Sequence, residues 1–394
     1  MRPFTKFSLG AITAAAMGVA TFGQAAFGVI AADLIDEFGV DRWQVGALIS
    51  AMGFTAAFLS PAFGRLTDRV GSVRSTVGVL ALGMVAMVVV ATAPVYGVLL
   101  AGALLSGVPN GWSNPATNAL IVDHTAPGTR GVVTGIKQSG VQVGAFLGGI
   151  ALPLISSASN WRVAYASFLV FPAVGLAAMW RRQDAPRHHE ESERGDGRVP
   201  PVIRWVALYG ILMGLGVSST MTFLPLFANE DQGWSTSGAG LLVAGVGLVG
   251  VMARIGWGSL SERWLGHGRT LRLLAVQSSV AALLLGSASL DLLAGWVMIP
   301  AAVLLGSGVV AWNAVGMLAV MDYSPSLLVG RGTGLVLLGF LVGVGSGAPL
   351  MGLSVDAWGT YTPGWFIVGG LFAAGAVVAV GIHRSRAAMG QPAS

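Results

Sequence analysis

The chain has no cysteine, few charged residues and no cluster of histidines. Without cysteine there is no marker of redox compartment. Charged residues make up 10% of the 394 positions, against about 25% in ordinary soluble domains. That is too little polar sequence to build the exterior of a soluble fold of this size. The five histidines, His124, His188, His189, His267 and His383, show no metal-ligand spacing. No nucleophile triad, phosphate-binding loop or nucleotide motif appears. An enzyme and an ATP-driven pump are set aside on these grounds, and neither a cofactor nor a metal is expected.

What is present is apolar. Apolar residues make up 54% of the chain, and 58 residues are glycine. A membrane-spanning helix needs about 20 mostly apolar residues. Twelve stretches qualify: 7–31, 43–63, 75–93, 95–121, 131–155, 161–180, 202–228, 236–257, 270–289, 292–320, 332–354 and 361–382. The pattern predicts an all-α membrane protein of twelve transmembrane helices, with the lipid bilayer as its partner. A net charge of +5 would suggest nucleic acid for a soluble protein, but the cations here follow topology. Of the 22 Lys and Arg, Lys137 and Arg254 fall inside spans. Only Arg42 and Arg162 fall on the side where Asp33, Asp36, Glu37, Asp41, Glu230 and Asp231 gather. The rest lie on the other side, which the positive-inside rule makes cytoplasmic. Both termini are then cytoplasmic in an inner or cell membrane. A signal peptide would also explain Arg2, Lys6, the first apolar run and the small residues near Gln24. Its removal would leave eleven spans and break the repeat that follows, so a retained first helix is preferred.

The chain reads as a duplicated half. Residues 181–201 are the longest polar stretch, with five Arg and five acids, and form a solvated linker. It separates a six-helix bundle at 1–180 from a second at 202–394. Gly107, Asn114 and Asp123 recur as Gly306, Asn313 and Asp322, all at an offset of 199. The glycines at 131, 135, 140, 144 and 148 recur at the same offset. Such repeats are a signature of secondary transporters. The small-residue spacing Gly140-x3-Gly144-x3-Gly148, and its copy Gly339-x3-Gly343-x3-Gly347, reads as close helix packing.

A charged packet also occurs twice between apolar runs: GRLTDRVGSVR (64–74) and GSLSERWLGHGR (258–269). The first resembles the signature segment between helices two and three of the major facilitator superfamily, through Gly64, Leu66, Asp68, Arg69, Gly71 and Arg74. Ser72 and Val73 stand where the family usually has basic residues. Gly258, Leu260, Glu262 and Arg263 make a weaker second copy, and DHTAPGTRG (123–131) resembles the family's segment between helices four and five. The resemblance covers the whole chain. It implies two pseudo-symmetric six-helix bundles, alternating access and a cytoplasmic gate at Gly64, Asp68, Arg69, Gly71, Arg74, Gly258, Glu262 and Arg263. From the residues alone, Gly64 and Gly71 permit tight turns or close approach. Asp68 is expected near the start of the third helix, where the dipole favours an anion. The plainer reading of the packet is that its charges stop the helices from slipping.

Polar residues inside spans cost free energy unless they face a cavity or a partner. The fourth span places Ser106, Asn110, Ser113, Asn114, Thr117 and Asn118 on one face. Thr13, Thr21 and Gln24 share a face of the first span, and Thr134, Gln138 and Gln142 one of the fifth. Trp312 and Asn313 echo Trp112 and Asn114. The resemblance implies that helices one, four, seven and ten line the cavity. The competing reading is helix–helix glue. Lys137 and Arg254 have no obvious acidic partner within the spans. A cation facing a cavity attracts an anion, and Arg matches a carboxylate bidentately. Both residues could instead snorkel to the cytoplasmic interface, and Arg254 shares a face with Gly247, Gly250 and Gly258.

The reading is a secondary transporter of a small organic anion, with a coupling proton or counter-substrate. Its substrate-binding residues are Gln24, Asn110, Asn114, Asn118, Lys137, Gln138, Gln142, Arg254, Trp312 and Asn313. Two alternatives stand beside it: a proton-coupled exporter of lipophilic compounds, and a membrane sensor on the same fold. The family's antiporter signature in helix five is matched in part. The Arg that drug antiporters carry in helix four is missing here.

Overall fold

A computed structural model describes residues 5–125, 130–180, 182, 199–324 and 328–387. The expected linker lies outside the described residues except for Arg182 and 199–201, as do residues 126–129 of DHTAPGTRG. The regular structure is helical throughout the described residues. Eleven stretches are long and apolar enough to cross a membrane. The twelfth expected span is the 29-residue helix Tyr96–His124. At 1.5 Å per residue it is about 43 Å long, more than the roughly 30 Å of a bilayer core. Three Asn, two Ser and one Thr dilute its apolar character.

The chain divides into two compact units, residues 1–40 with 47–189, and 41–46 with 190–394. The first unit holds α1 (Lys6–Val29), α2 (Ala31–Phe38), most of α3 (Arg42–Val70), α4 (Ser72–Ala91), α5 (Tyr96–His124), α6 (Arg130–Ala158), α7 (Trp161–Ser167) and α8 (Val170–Met179). The second holds α9 (Pro201–Glu230), α10 (Thr236–Leu260), α11 (His267–Ser289), α12 (Met298–Ser307), α13 (Trp312–Tyr323), α14 (Val329–Trp358) and α15 (Thr362–Ala387). A π turn, Ser261–Leu265, closes α10.

Small residues bring the paired helices of each unit together, because lipid offers no hydrophobic drive between helices. A Cβ on Gly140 of α6 would stand 2.0 Å from the carbonyl oxygen of Ala14 on α1. In the second unit, Cβ atoms on Gly343 and Gly347 of α14 would stand 2.2 and 2.1 Å from the carbonyls of Ile211 and Leu215 on α9. The glycine spacing therefore packs helices, as the sequence suggests.

The first charged packet is built differently from expectation. Helix α3 continues to Val70, so Asp68 and Arg69 lie in its last turn. They do not sit at the start of the next helix. Gly64 lies inside α3, and a Cβ there would meet nothing within 4 Å, so it makes neither a tight turn nor a close approach. The turn belongs to Gly71 alone, with φ +99°, which precedes α4. Gly266, with φ +74°, precedes α11 in the same way. Glycine adopts such angles without steric cost. Asp68, Arg69, Arg74, Glu262 and Arg263 are all exposed, and Gly258 has only ordinary contact, with Leu318 at 3.9 Å.

Candidate substrate site

The polar face of α5 separates into two strips. The hydroxyls turn back onto their own helix: Ser106 donates to the Gly102 carbonyl (2.8 Å), Ser113 to Asn110 (2.9 Å) and Thr117 to Ser113 (2.5 Å). All three are buried. Hydroxyls on a helix commonly bond the carbonyl one turn back, so these three are spent, and the expected stripe of six reduces to Asn110, Asn114 and Asn118. Asn110 and Asn114 are half-buried and Asn118 is exposed.

Lys137 on α6 meets this amide strip. Its side chain is 0% exposed. Nζ donates to Asn114 Oδ1 (2.9 Å) and to Asn118 Oδ1 (2.6 Å). Among the described residues no carboxylate pairs with it. An ammonium has three donors, and two neutral amide oxygens satisfy hydrogen bonds without cancelling charge. Both amides turn their oxygens to the lysine, which leaves their NH2 groups facing elsewhere. Asn110, one turn further along, has a buried Nδ2 with no hydrogen-bond partner among the described residues. The cluster is thus one cation and a row of amide donors, a set suited to an anion. Gln142 is buried and Gln138 half-buried on the same helix as Lys137. On α1, Gln24 is half-buried, while Thr13 and Thr21 bond their own backbone at Leu9 and Met17.

Arg254 stands in a different setting. The span containing α12 and α13 breaks at residues 308–311. The N–H of Ala314 bonds Ala311, not Val310. The Val310 carbonyl is taken by Arg254 through Nε (3.2 Å) and Nη2 (3.1 Å). Two of the guanidinium's five donors therefore serve a broken helix. Trp312 belongs to the core at 1% exposure, with ring centroids 5.7 Å from Tyr209 and 5.4 Å from Phe340. Its echo, Trp112, stacks on Phe63 and donates to Thr67. These indoles are large enough to fill gaps between helices, and a binding role for Trp312 finds no support in this packing. Asn313 is half-buried.

At the corner that follows Gly71, Ser72 donates to Asp123 (2.6 Å). At the matching corner after Gly266, His267 takes its place: Nε2 meets Asp322 (2.6 Å) and Nδ1 meets Ser261 (2.5 Å). Ser261 is 1% exposed, so its hydroxyl is closed to a substrate, and the Ser–His–Asp chain serves as a link between helices. The pairing was partly visible beforehand, since Asp123 and Asp322 are repeat partners.

Three further clusters were not singled out from the sequence. Within the second unit, Glu230 accepts from Arg42 (2.9 and 3.0 Å) and from Tyr361 (2.6 Å). The Asp356 carboxylate accepts the backbone N–H groups of Arg42 (3.3 Å) and Trp43 (2.9 Å), capping α3. In the first unit, Glu37 accepts from Trp161 and Arg162. Partial burial pushes its pKa up, but those two bonds outweigh it and hold the carboxyl below its usual range. One turn earlier, burial and then the nearby Asp36 push Asp33 up.

The family model of the Major Facilitator Superfamily matches residues 13–327. A class G tetracycline resistance protein of Vibrio anguillarum is 27% identical over 348 residues, covering 83% of this chain and 84% of that protein. A gentisate transporter of Corynebacterium glutamicum is 25% identical over 345 residues, covering 81% and 73%. The crystal structure of a D-xylose–proton symporter superposes with a TM-score of 0.80 at 14% identity, covering 95% of this chain and 97% of that one. With an all-helical membrane fold and a family match over most of its length, the chain belongs to the Major Facilitator Superfamily and is a membrane transporter, not an enzyme.

Proposed function

We propose that this protein is a secondary transporter of a small organic anion, working by alternating access. The observation that carries the reading is Lys137: a fully buried cation whose partners are the neutral amides of Asn114 and Asn118. A buried charge is costly unless it is paired. A carboxylate would supply the missing charge and use the outward amide donors. The gentisate transporter shows that a relative at this distance carries a carboxylate. The bundles at 1–180 and 202–394 would rock about the site, with both termini in the cytoplasm. The two charged packets, Gly64 to Arg74 and Gly258 to Arg263, would part and rejoin as a gate. A proton is the natural coupling ion, and Asp33, half-buried with a raised pKa, is a carboxylate suited to carry it.

A second reading, export of lipophilic compounds, is favoured by the tetracycline resistance relative. It is also favoured by a cavity of about 300 Å³ in the first unit, walled by apolar residues such as Ala14, Gly18, Phe22 and Val143. Thermal stabilisation of the purified protein by a panel of small carboxylates and lipophilic cations separates the two. A ligand at 100 times its Kd stabilises the folded state by about 2.7 kcal/mol. A rise with a carboxylate that disappears in Lys137→Met supports the anion reading. A rise with lipophilic cations alone, unchanged in Lys137→Met, sinks it.

A further inference from the structure

Asn110 shows what the other end of the substrate looks like. Its Nδ2 is buried and unanswered among the described residues. Leaving such a donor unmet costs about 1–3 kcal/mol, and native structures keep the arrangement where a ligand or water completes it. The neighbouring Ser106 and Ser113 hydroxyls give their protons to the Gly102 and Asn110 carbonyls, and neither oxygen accepts from this Nδ2. Asn110, Asn114 and Asn118 recur every four residues, which places them on one face of α5 about 6 Å apart along the axis. Lys137 Nζ lies between the second and third of them. An acceptor bound at Asn110 is therefore roughly one and a half to two helical turns, about 9 Å along the axis, from an oxygen bound at Lys137.

We propose that the substrate is a two-ended organic anion. Its carboxylate binds Lys137, and a second oxygen, from a hydroxyl, carbonyl or further carboxylate, accepts from the Asn110 amide. The proposal rests on the anion reading above and narrows it to a class. The repeat partner of Asn110 is Val309, and that of Lys137 is Val336, so the second unit has no equivalent pair and the two ends of the ligand are both read on α5 and α6. Simple monocarboxylates fit the cation but leave the amide unmet. A site built to hydrogen-bond a group discriminates strongly against ligands that lack it.

The test is calorimetric binding to the purified full chain, using butyrate, valerate and hexanoate against their omega-hydroxy derivatives. The wild-type protein is expected to prefer the hydroxylated member about tenfold at the chain length that reaches Asn110, and less at the others. In Asn110→Leu the preference falls to about one at every length. In Lys137→Met both members of each pair lose binding together. A ratio near one at all lengths in the wild type, or a preference that survives Asn110→Leu, overturns the two-ended class. If the plain and hydroxylated acids bind equally and both depend on Lys137, the anion reading stands and only this proposal falls. If neither binds while other carboxylates do so through Lys137, the result is the same. Binding that survives Lys137→Met removes the anion reading and this proposal together. The wild-type ladder decides the matter even if Asn110→Leu does not fold.

Discussion

Two spans related by an offset of 199 residues answer the same constraint in opposite ways. Helix α5 runs unbroken from Tyr96 to His124 through Pro109 and Pro115. A proline inside a helix supplies no N–H and leaves a carbonyl one turn back without its donor. Its counterpart has Gly308 and Ala314 at those positions and no proline there, yet it breaks into α12 and α13. The difference comes from the neighbours. In the second unit a guanidinium on α10 accepts the cost of the break by bonding the Val310 carbonyl. In the first unit the position matching Arg254, at the offset of 194 between the two charged packets, is Ser60, and the cation sits on α6 against the amides of α5. One cation therefore bonds backbone, while the other is held by side-chain amides, as the proposed anion site requires. The contrast lies in the acceptors: a carbonyl of a broken helix for Arg254, and neutral amides on an intact helix for Lys137.

The glycine crossings give the largest expected contrast between the units. Gly343→Ala drives a Cβ to 2.2 Å from a backbone oxygen, whereas Gly144→Ala meets backbone only at 3.6 Å. The first should cost about 3 kcal/mol and the second less than about 0.5 kcal/mol, read from thermal melts in detergent. Equal melting temperatures would show that α14 can shift away from α9.

The two cations should separate next. Arg254→Ala leaves the Val310 carbonyl unmet and should destabilise by about 2 kcal/mol. Lys137→Met removes a buried charge that has no counter-charge in the described structure, and should leave stability unchanged or raise it while abolishing carboxylate binding. The reverse pattern, with Lys137 needed for folding and Arg254 only for binding, would exchange the two assignments.

The corners come third. His267→Ala breaks links to both Ser261 and Asp322 and should cost about 2 kcal/mol, against about 1 kcal/mol for Ser72→Ala, which breaks one. Chemical denaturation of the two variants side by side checks the ratio.

The smallest effect distinguishes two carboxyls one turn apart on α2. The Glu37 pKa is lowered on folding, so its stabilisation is present above the unfolded value of about 4.3 and lost as pH falls through the folded value. The Asp33 pKa is raised, so its contribution is present below about 3.9 and lost as pH rises through the raised value. At pH 7, Glu37→Gln should lower the melting temperature and Asp33→Asn should raise it. As pH falls below the folded value of Glu37, both differences should shrink toward zero. Each effect is below about 1 kcal/mol, because the Glu37 side chain is 42% exposed and solvent screens its pairs.

Much of the candidate site was legible in advance. Lys137, Asn114 and Asn118 stood out because polar groups within apolar spans are rare and expensive, and helical spacing placed the amides together. Spacing could not tell amide from hydroxyl, since Ser113 and Thr117 lie within the same arc but are short enough to bond their own backbone. Nor could it show that Asn110 lacks a partner, which depends on every neighbour at once. Arg254 looked as exceptional as Lys137, and only the structure showed that it bonds the carbonyl of a broken span. The hydrogen-bonded link His267–Asp322 was hidden because its members are 55 residues apart and the residue at the matching corner after Gly71 is Ser72.

By itself, the sequence determined the membrane class and the all-helical fold, because these follow from hydropathy and periodicity, which are summed along the chain. It also determined the family. The tertiary structure decided which polar groups are bonded within their own helix and which are not. Hydrogen bonds are short-ranged and directional, so a group's role is set by atoms a few ångströms away, however far apart they stand in the chain.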